Sequence, residues 1–306
     1  MERRTPGDAR ETIVGVVGWA QETNEALVSA WRELGLRAEL LTPDDALRDL
    51  GHGDVAVGRF DVLKTLDGPE PGIEVLPELE RRGVRVLNGV DALLNAHDKL
   101  LTAGLLERAG LPHPKTEHLA NPTRSVEIAP PFVVKPRYGS WGIDVFRCAT
   151  GADLERTLVE IEDRPWFARH GALVQELVPP AGFDLRLVVA GGEVVGAAER
   201  VARAGEWRTN VSLGGTKHPT GPSAEACALG VQAARAIGAD LVGVDLLPAV
   251  DGWVVLELNG AVEFDRVYDL SGSSKNVYDA AASALGLPRS RRLSSDRSEL
   301  RSTAPR

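Results

Sequence analysis

The chain has 306 residues, 43% hydrophobic and 26% charged, the composition of a globular protein with length for about two domains at ~150 residues each. Its net charge of −9 argues against general binding to nucleic acid or anionic membranes, and no run approaches the ~18 uninterrupted apolar residues of a membrane helix. Two cysteines, Cys148 and Cys227, fit a reducing compartment, and MERRTPGDARE lacks the apolar core of a signal peptide, so a soluble cytoplasmic protein is expected.

Residues 1–11 open the chain without an apolar pattern and are read as disordered. TIVGVVGWA then reads as a strand and TNEALVSAWRELG as a helix, with Leu27, Trp31 and Leu34 at helical spacing and Gly35 as its stop. RAEL, DVAVGR, a helix around Val75 to Arg82 and a strand at Val84 to Leu87 follow, an alternation that implies a small α/β domain with a largely parallel sheet. No G-x-G-x-x-G follows the first strand, so a dinucleotide site there is unsupported. Asp91 to Gly110 fits one helix, or two broken near His97 and Asp98. PFVVKP is a strand, RYGSWG a loop, IDVFRC a strand, ADLERTLVEIE an amphipathic helix and ALVQELV a strand running into the junction Pro179-Pro180-Ala181-Gly182. Beyond it DLRLVVAG and EVVGAAERVA pair across Gly191-Gly192, and a polar loop runs from Arg208 to Gly215. Ser223 caps a helix that ends at Gly238, VGVDLL and VVLELNG form a hairpin, and a last helix runs from Asn276 to Leu285. The tail from Arg289 sets six arginines against Asp296 and Glu299 with few apolar residues, too little to offset its ordering entropy. It reads as disordered, with docking of an acidic partner as the alternative.

The hairpin holds the strongest chemical signal. Asp245 and Glu257 each interrupt an apolar strand, where a lone carboxylate is costly without a cation or donor. Glu257 and Asn259, two apart, share a strand face. Two carboxylates and an amide oxygen suit Mg²⁺, a hard cation that also binds substrate phosphates; an internal polar pair held by backbone donors is the competing reading. The two acids face each other only in one register. A two-residue loop at Asp251-Gly252 turns them to opposite faces, whereas a three-residue loop, Val250 to Gly252 with Gly252 left-handed, pairs Ala249 with Trp253 and places Asp245 opposite Glu257 and Gly243 opposite Asn259. On this reading Glu257→Gln and Asp245→Asn both preserve the fold.

Lys135 ends a strand just before Tyr138-Gly139-Ser140-Trp141-Gly142, where glycines between strands let backbone N–H groups form a phosphate nest; a simple turn is the alternative. Asp184 and Arg186 alternate on one strand face, and Arg200, Arg203 and Arg208 follow, many cations for an acidic chain.

In this order HDKLLTAGLLERAGLPHPKT, PFVVKPRYGSWGIDVF, VQELV, FDLRLVV, ERVARAGEWRTNVSLGG and GVDLL with VLELN resemble the ATP-grasp ligases, most of all the RimK-like branch, which includes ribosomal-protein glutamate ligases and LysX-like ligases acting on an amino-group carrier protein. The resemblance implies an α/β (α+β) ATP-grasp fold: an N-terminal Rossmann-like pre-ATP-grasp domain over 12–90, a central subdomain over 91–178 and a C-terminal subdomain over 179–288. It implies ATP and Mg²⁺ as cofactors, two ions with Mn²⁺ as a substitute. Lys99 and Lys135 match the lysines on the phosphates, and Gly139, Ser140, Trp141 and Gly142 the mobile loop above them. Glu176 and Leu177 match the adenine hinge and Asp184 the ribose side. Asp245, Glu257 and Asn259 match the metal ligands. Asn210 and Arg208 match the loop by the γ-phosphate, and Arg186, Arg200 and Arg208 the catalytic cations. The implied reaction joins an amine, glutamate or a similar amino acid, to a carboxylate of a peptide, small carrier protein or metabolite through an acyl phosphate, releasing ADP. No nucleic-acid or membrane partner is expected, and a homo-oligomer is left open. Asn259-Gly260-Ala261-Val262-Glu263-Phe264 departs from the Asn-x-Ser-Pro-Gly of the ribosomal-protein ligases and resembles the carrier-protein branch, save Ala261 where that branch has Thr. A natural-product or coenzyme peptide ligase and a non-catalytic ATP-binding regulatory module are the alternatives.

Overall fold

The alternation at the front of the chain does build a parallel sheet. In the computed structural model, which describes residues 11–19, 21–120 and 126–288, β1 (Ile13–Gly18) lies between β2 (Arg37–Leu41) and β3 (Val55–Arg59), with β4 (Arg85–Leu87) beyond β3. All of β1 is buried, as a continuous apolar run covered on both faces requires. The helices α1 (Glu22–Glu33), α2 (Pro43–Asp49) and α3 (Val75–Arg81) connect these strands. The sequence reading missed α2, which is too short for a periodic pattern but carries a start signal, a Thr42 cap with Pro43 in the first turn. The disorder expected of residues 1–11 and 289–306 concerns positions that, apart from Glu11, lie outside the described residues.

The Asp91–Gly110 segment forms two helices, α4 (Val90–His97) and α5 (Lys99–Arg108). Asp98 breaks them: its backbone is extended and its carboxylate caps α5 by accepting from the amides of Leu100 and Leu101. Next comes an antiparallel sheet in the order β5 (Thr116–Leu119), β8 (Ala172–Glu176), β6 (Phe132–Pro136), β7 (Phe146–Cys148). Leu154, Leu158 and Ile161 of α6 (Gly151–Ile161), with Trp166 and Phe167 of α7 (Pro165–His170), complete its core. β7 is shorter than expected because Ile143 to Val145 belong to the preceding loop, where Asp144 is left-handed and accepts from the Trp166 indole at 2.8 Å.

The third sheet is antiparallel, in the order β11 (Thr216–Pro219), β10 (Glu193–Val201), β9 (Phe183–Ala190), β12 (Leu241–Ala249), β13 (Gly252–Asn259), with α8 (Ala224–Ile237) packed on it. Ala96 and Leu106 join that same core, so α4 and α5 pack against the C-terminal sheet, while α5 also touches β5 of the central sheet. α9 (Val277–Ala284) returns to the first sheet: Tyr278 shares a core with Leu27, Trp31 and Val188, and the Trp31 indole donates to the Tyr278 carbonyl at 3.1 Å. Asn88, fully buried, ties the two sheets again, accepting from the amides of Asp240 and Leu241 and donating to the Leu241 carbonyl at 2.6 Å.

The hairpin brings Asp245 opposite Glu257 and Gly243 opposite Asn259, as expected, but by another route. Ala249 pairs with Gly252, not Trp253, so the turn is Val250-Asp251 rather than the three-residue loop. A register shift between Asp245 and Leu246, which leaves Leu256 unpaired, restores the facing carboxylates. Val262 packs close beside Gly243, where a Cβ would meet its Cγ2 at 2.4 Å. Gly252 is left-handed at φ 113°, and its added Cβ would meet only the flexible end of Glu225. Backbone strain therefore decides the effect of Gly252→Ala. Urea unfolding should show a loss of about 1 kcal/mol or more that Glu225→Ala does not restore; full restoration would assign the loss to the contact instead.

Candidate active site

The central and C-terminal sheets face each other across a cleft, joined by the 177–182 strap at the Pro-Pro junction. The cleft encloses about 1010 Å³ including its open mouth. Apolar walls come from Val133, Leu177, Phe183, Trp207 and Leu256. Glu176 and Leu177 border it, their amides donated to the carbonyls of Lys115 (2.9 Å) and Pro131 (3.3 Å).

Lys135 reaches the cleft from the end of β6, only 5% exposed, donating to Gln175 Oε1 at 2.7 Å. Gln175 is held in turn by Thr116 Oγ1 at 2.8 Å. Burial pushes the Lys135 ammonium down from its ordinary 10.5 to about 8, with Lys99 adding repulsion and Glu257 opposing. Lys99, at the start of α5, lies 3.5 Å from Glu257 and donates to the Gly139 carbonyl at 2.5 Å. Its neighbour Asp98 takes both ends of the Arg137 guanidinium (2.7 and 2.5 Å) and the Tyr138 hydroxyl (3.0 Å). One buried carboxylate thus starts the helix that bears Lys99 and anchors the root of the glycine loop.

That loop lies over the cleft, held by its carbonyls. Lys99 takes Gly139, Arg208 takes Gly142 at 2.9 Å, and Ser212 Oγ donates to Trp141 at 2.8 Å. Trp141 and Gly142 are both left-handed, and a Cβ on Gly142 would press on Asn210 Oδ1 at 2.8 Å. Gly139, Ser140, Trp141, Gly142, Arg208 and Asn210 therefore come together as expected.

The C-terminal sheet contributes a row of charges. Register pairs Lys217 with Arg200, Arg200 with Asp184, Arg186 with Asp245, and Asp245 with Glu257. Cross-strand partners share a face, as do Asp184 and Arg186 two apart on β9, so the whole row looks one way. Arg186 grips Asp245 with both ends at 2.7 Å, and Arg200 reaches Asp184 (2.8 and 2.5 Å) and Asp245 (2.8 Å). Burial alone would push the Asp245 carboxyl up, but the two guanidiniums outweigh it and hold it well below the usual range. Asp184 has no exposed surface and is taken by Arg200 and Thr209, the latter at 2.6 Å. Asp184 nonetheless lines the cleft, on whose wall the ribose side is expected, and its bonds hold Arg200.

For a divalent cation, Glu257 and Asn259 fit, since both border open space. Asn259 donates weakly to Asp245 at 3.5 Å, which turns its amide oxygen away from that carboxylate. Asp245 is 0% exposed with both oxygens bonded, so it becomes a ligand only if a guanidinium lets go. Beside the cleft lies a second cavity that shares Ser140, Trp141, Arg200, Asn210 and Glu257 with it. Sequence reasoning missed its Asp61 and Lys217, the Gln175–Thr116 support of Lys135, and the Ser212 latch. Each depends on contacts between distant segments and leaves no local mark.

The RimK-like ATP-grasp domain family matches residues 96–276. The chain is 30% identical over 244 residues to the tetrahydromethanopterin:alpha-L-glutamate ligase of Methanosarcina acetivorans, 74% of each protein. It is 31% identical over 224 residues to a probable alpha-L-glutamate ligase of Haemophilus influenzae, 72% of each. Among solved structures, a RimK-domain ATP-grasp protein from Sphaerobacter thermophilus superposes with TM-score 0.64 at 21% identity over 90% of this chain and 100% of that one. The ATP-grasp ligase PsnB complexed with minimal precursor gives 0.58 at 20% identity over 83% and 92%.

Two outcomes follow. Asp245→Asn removes the charge that balances two buried guanidiniums, so, against the expectation from isostery, it should cost about 3 kcal/mol or more. Glu257→Gln, at the edge of open space, should keep the wild-type melting temperature while turnover falls at least ~10²-fold. Equal melting temperatures for both variants would remove the clamp from the stability of the sheet. The second outcome concerns Lys135. Its folded value near 8 lies below its free value, so between the two the unfolded chain holds the extra proton and ligand-free stability rises with pH. A bound triphosphate restores the charge, so ATP·Mg²⁺ binding at pH 9 should take up a proton. Calorimetry in buffers of differing ionisation enthalpy should read that uptake in wild type and lose it in Lys135→Arg. Identical wild-type heats in all buffers would show that Lys135 does not titrate there.

Proposed function

We propose, for a chain that belongs to the RimK-like ATP-grasp family and is therefore an ATP-dependent, ADP-forming ligase of the glutamate-ligase type, that it joins an amino acid to a substrate carboxylate through an acyl phosphate. The observation that carries this reading is the gathering of Lys99, Lys135, Arg200 and Arg208 around one cleft, beneath a loop and beside the Glu257–Asn259 pair. Phosphoryl transfer to a carboxylate needs charge neutralisation and positioning more than a protein nucleophile, and these residues supply both.

Lys135 and Lys99 bind the phosphates, Arg200 and Arg208 offset charge on the transferring group, and the 138–145 loop excludes water from an intermediate that water destroys. Glu257 and Asn259 would hold Mg²⁺, which supplies Lewis-acid neutralisation of the phosphate oxygens. Asp245 joins them if Arg186 exchanges the carboxylate for a substrate anion. Glutamate is the assigned amine and a peptide, carrier protein or metabolite carboxylate the acceptor. A coenzyme as acceptor is the second reading, favoured by the name of the Methanosarcina acetivorans relative.

Hydroxylamine tests the intermediate. With ATP, Mg²⁺ and a panel of acceptors that includes peptides ending in glutamate, the protein should form a hydroxamate and release ADP. With glutamate in place of hydroxylamine, the acceptor should gain the mass of an amino acid less water. Release of AMP and pyrophosphate would sink the acyl-phosphate route, and tight ATP binding without ADP release from any acceptor would favour a regulatory module.

A further inference from the structure

Between β3 and α3 the chain folds back on itself. Val62 pairs with Pro69 in an isolated antiparallel bridge, the Glu70 amide donates to the Asp61 carbonyl at 2.7 Å, and the Leu63 amide donates to the Gly68 carbonyl at 2.9 Å. The tip of this hairpin leaves the core of the first sheet for that of the central one. Leu66, at the tip, has φ 60°, the left-handed region that a leucine enters only at a steric cost. Its side chain is nonetheless just 3% exposed, in a core with Leu119, Phe132, Val134 and Val174 of the central sheet. Strain of this kind persists where the surroundings over-determine it, and here burial among another domain's strands does so.

The end of α7 grips the same tip. Arg169 pairs with the Asp67 carboxylate, and His170 Nε2 donates to the Asp67 carbonyl at 2.9 Å. The ion pair is exposed on the arginine side and adds little alone. The His170 ring does more, because it stands edge-on to the Tyr138 ring with centroids 5.0 Å apart. Tyr138 is thus held at both ends, its ring by His170 and its hydroxyl by Asp98 at 3.0 Å. Leu66 reaches the next residue directly, since a Cβ built on Gly139 would lie 4.0 Å from Leu66 Cδ2. Gly139 begins the loop over the cleft.

The N-terminal domain is itself fixed to the C-terminal sheet, through the core shared by Trp31, Tyr278 and Val188 and through Arg59, which donates to the Val262 carbonyl at 2.8 Å. The hairpin therefore ties the C-terminal sheet to the central one by a route separate from the 177–182 strap. We propose that Leu66 and His170 are positioning residues for the glycine loop: the hairpin seats the end of α7 against Tyr138, and so sets where Gly139 to Gly142 lie over the cleft. This role rests on the reading of that loop as the cover of the phosphates. It adds to that reading a control exerted by Leu66, which lies outside the matched residues 96–276. Neither side chain is assigned a contact with the nucleotide.

Native-state cleavage by chymotrypsin after Tyr138 and Trp141, located by mass spectrometry on the full chain, reads how often the loop leaves its seat. Leu66→Ala should speed ligand-free cleavage there roughly fivefold or more, because cleavage tracks the population of the open form. It should also speed dissociation of a fluorescent ATP analogue, followed by stopped flow with Mg²⁺ present. Leu158→Ala removes a side chain from the same core on α6, so it should lower the melting temperature comparably yet leave both rates close to wild type. His170→Ala removes no member of that core and should move both rates in the direction of Leu66→Ala, whether or not the latter folds in quantity. Equal acceleration in Leu66→Ala and Leu158→Ala would trace the effect to stability alone and overturn the positioning role, as would unchanged loop cleavage in His170→Ala. The ligand-free rates judge the hairpin alone. A wild-type loop that a non-hydrolysable ATP analogue with Mg²⁺ leaves as cleavable as before would instead overturn its placement over the phosphates, and the two failures are thereby told apart.

Discussion

The structure depends on a buried ladder of opposite charges across the C-terminal sheet. Arg186 and Arg200 could not be buried alone, and neither could Asp184 and Asp245. Their pairing is set by strand register, because Asp184 opposes Arg200 and Asp245 opposes Arg186. A one-residue slip of β9 would turn Asp184 and Arg186 to the face packed by α8 and part them from Arg200 and Asp245, which stay on the other face. Electrostatics thus pins the register of the strands that carry the site, in a sheet where apolar packing alone would fix it less tightly. Guanidiniums held this way are oriented before any ligand arrives.

The same economy of groups governs the loop. In the ligand-free state Lys99 and Arg208 hold carbonyl oxygens of Gly139 and Gly142, neutral acceptors where phosphate oxygens would be charged ones. Charge-assisted bonds are roughly twice as strong as bonds to neutral acceptors, so a triphosphate competes well for both cations. On the proposed function, the residues that close the loop are those assigned to the phosphates, and nucleotide entry and loop release would be one exchange rather than two events. Asp98 makes that exchange local: it fixes Arg137 and Tyr138 at the root, so only the segment beyond them is free to move.

Much of this was legible in the chain itself. Strand alternation located β1, β3, β9 and β10, caps and glycines bounded α1, α8 and α9, and period-two spacing put Asp184 with Arg186 and Glu257 with Asn259. The hairpin shows where legibility stops. Facing Asp245 with Glu257 was correct, but a three-residue loop was required to do it, and the chain uses a shorter turn with a bulge at Leu256. A bulge needs only one residue without a partner, and Leu256 carries no sign of that. Asp245 was read as a metal ligand because an acid in a strand needs a cation, and the cations nearest it lie 59 and 45 residues away. Local pattern states the need but not which partner meets it.

Ligation by an acyl phosphate imposes two demands that pull apart: the intermediate must be shielded from water, yet the amine must reach it. A single deep cleft serves the first and obstructs the second. Two cavities sharing one wall would serve both, and here the cleft and the second cavity share Ser140 and Trp141 of the loop and Glu257 of β13. On that view the N-terminal sheet is more than a support for α9. It supplies the far wall of the second cavity, and the core it shares with Val188, Val262 and Tyr278 holds Asp61 at a fixed position from the charged face of β9 and β12.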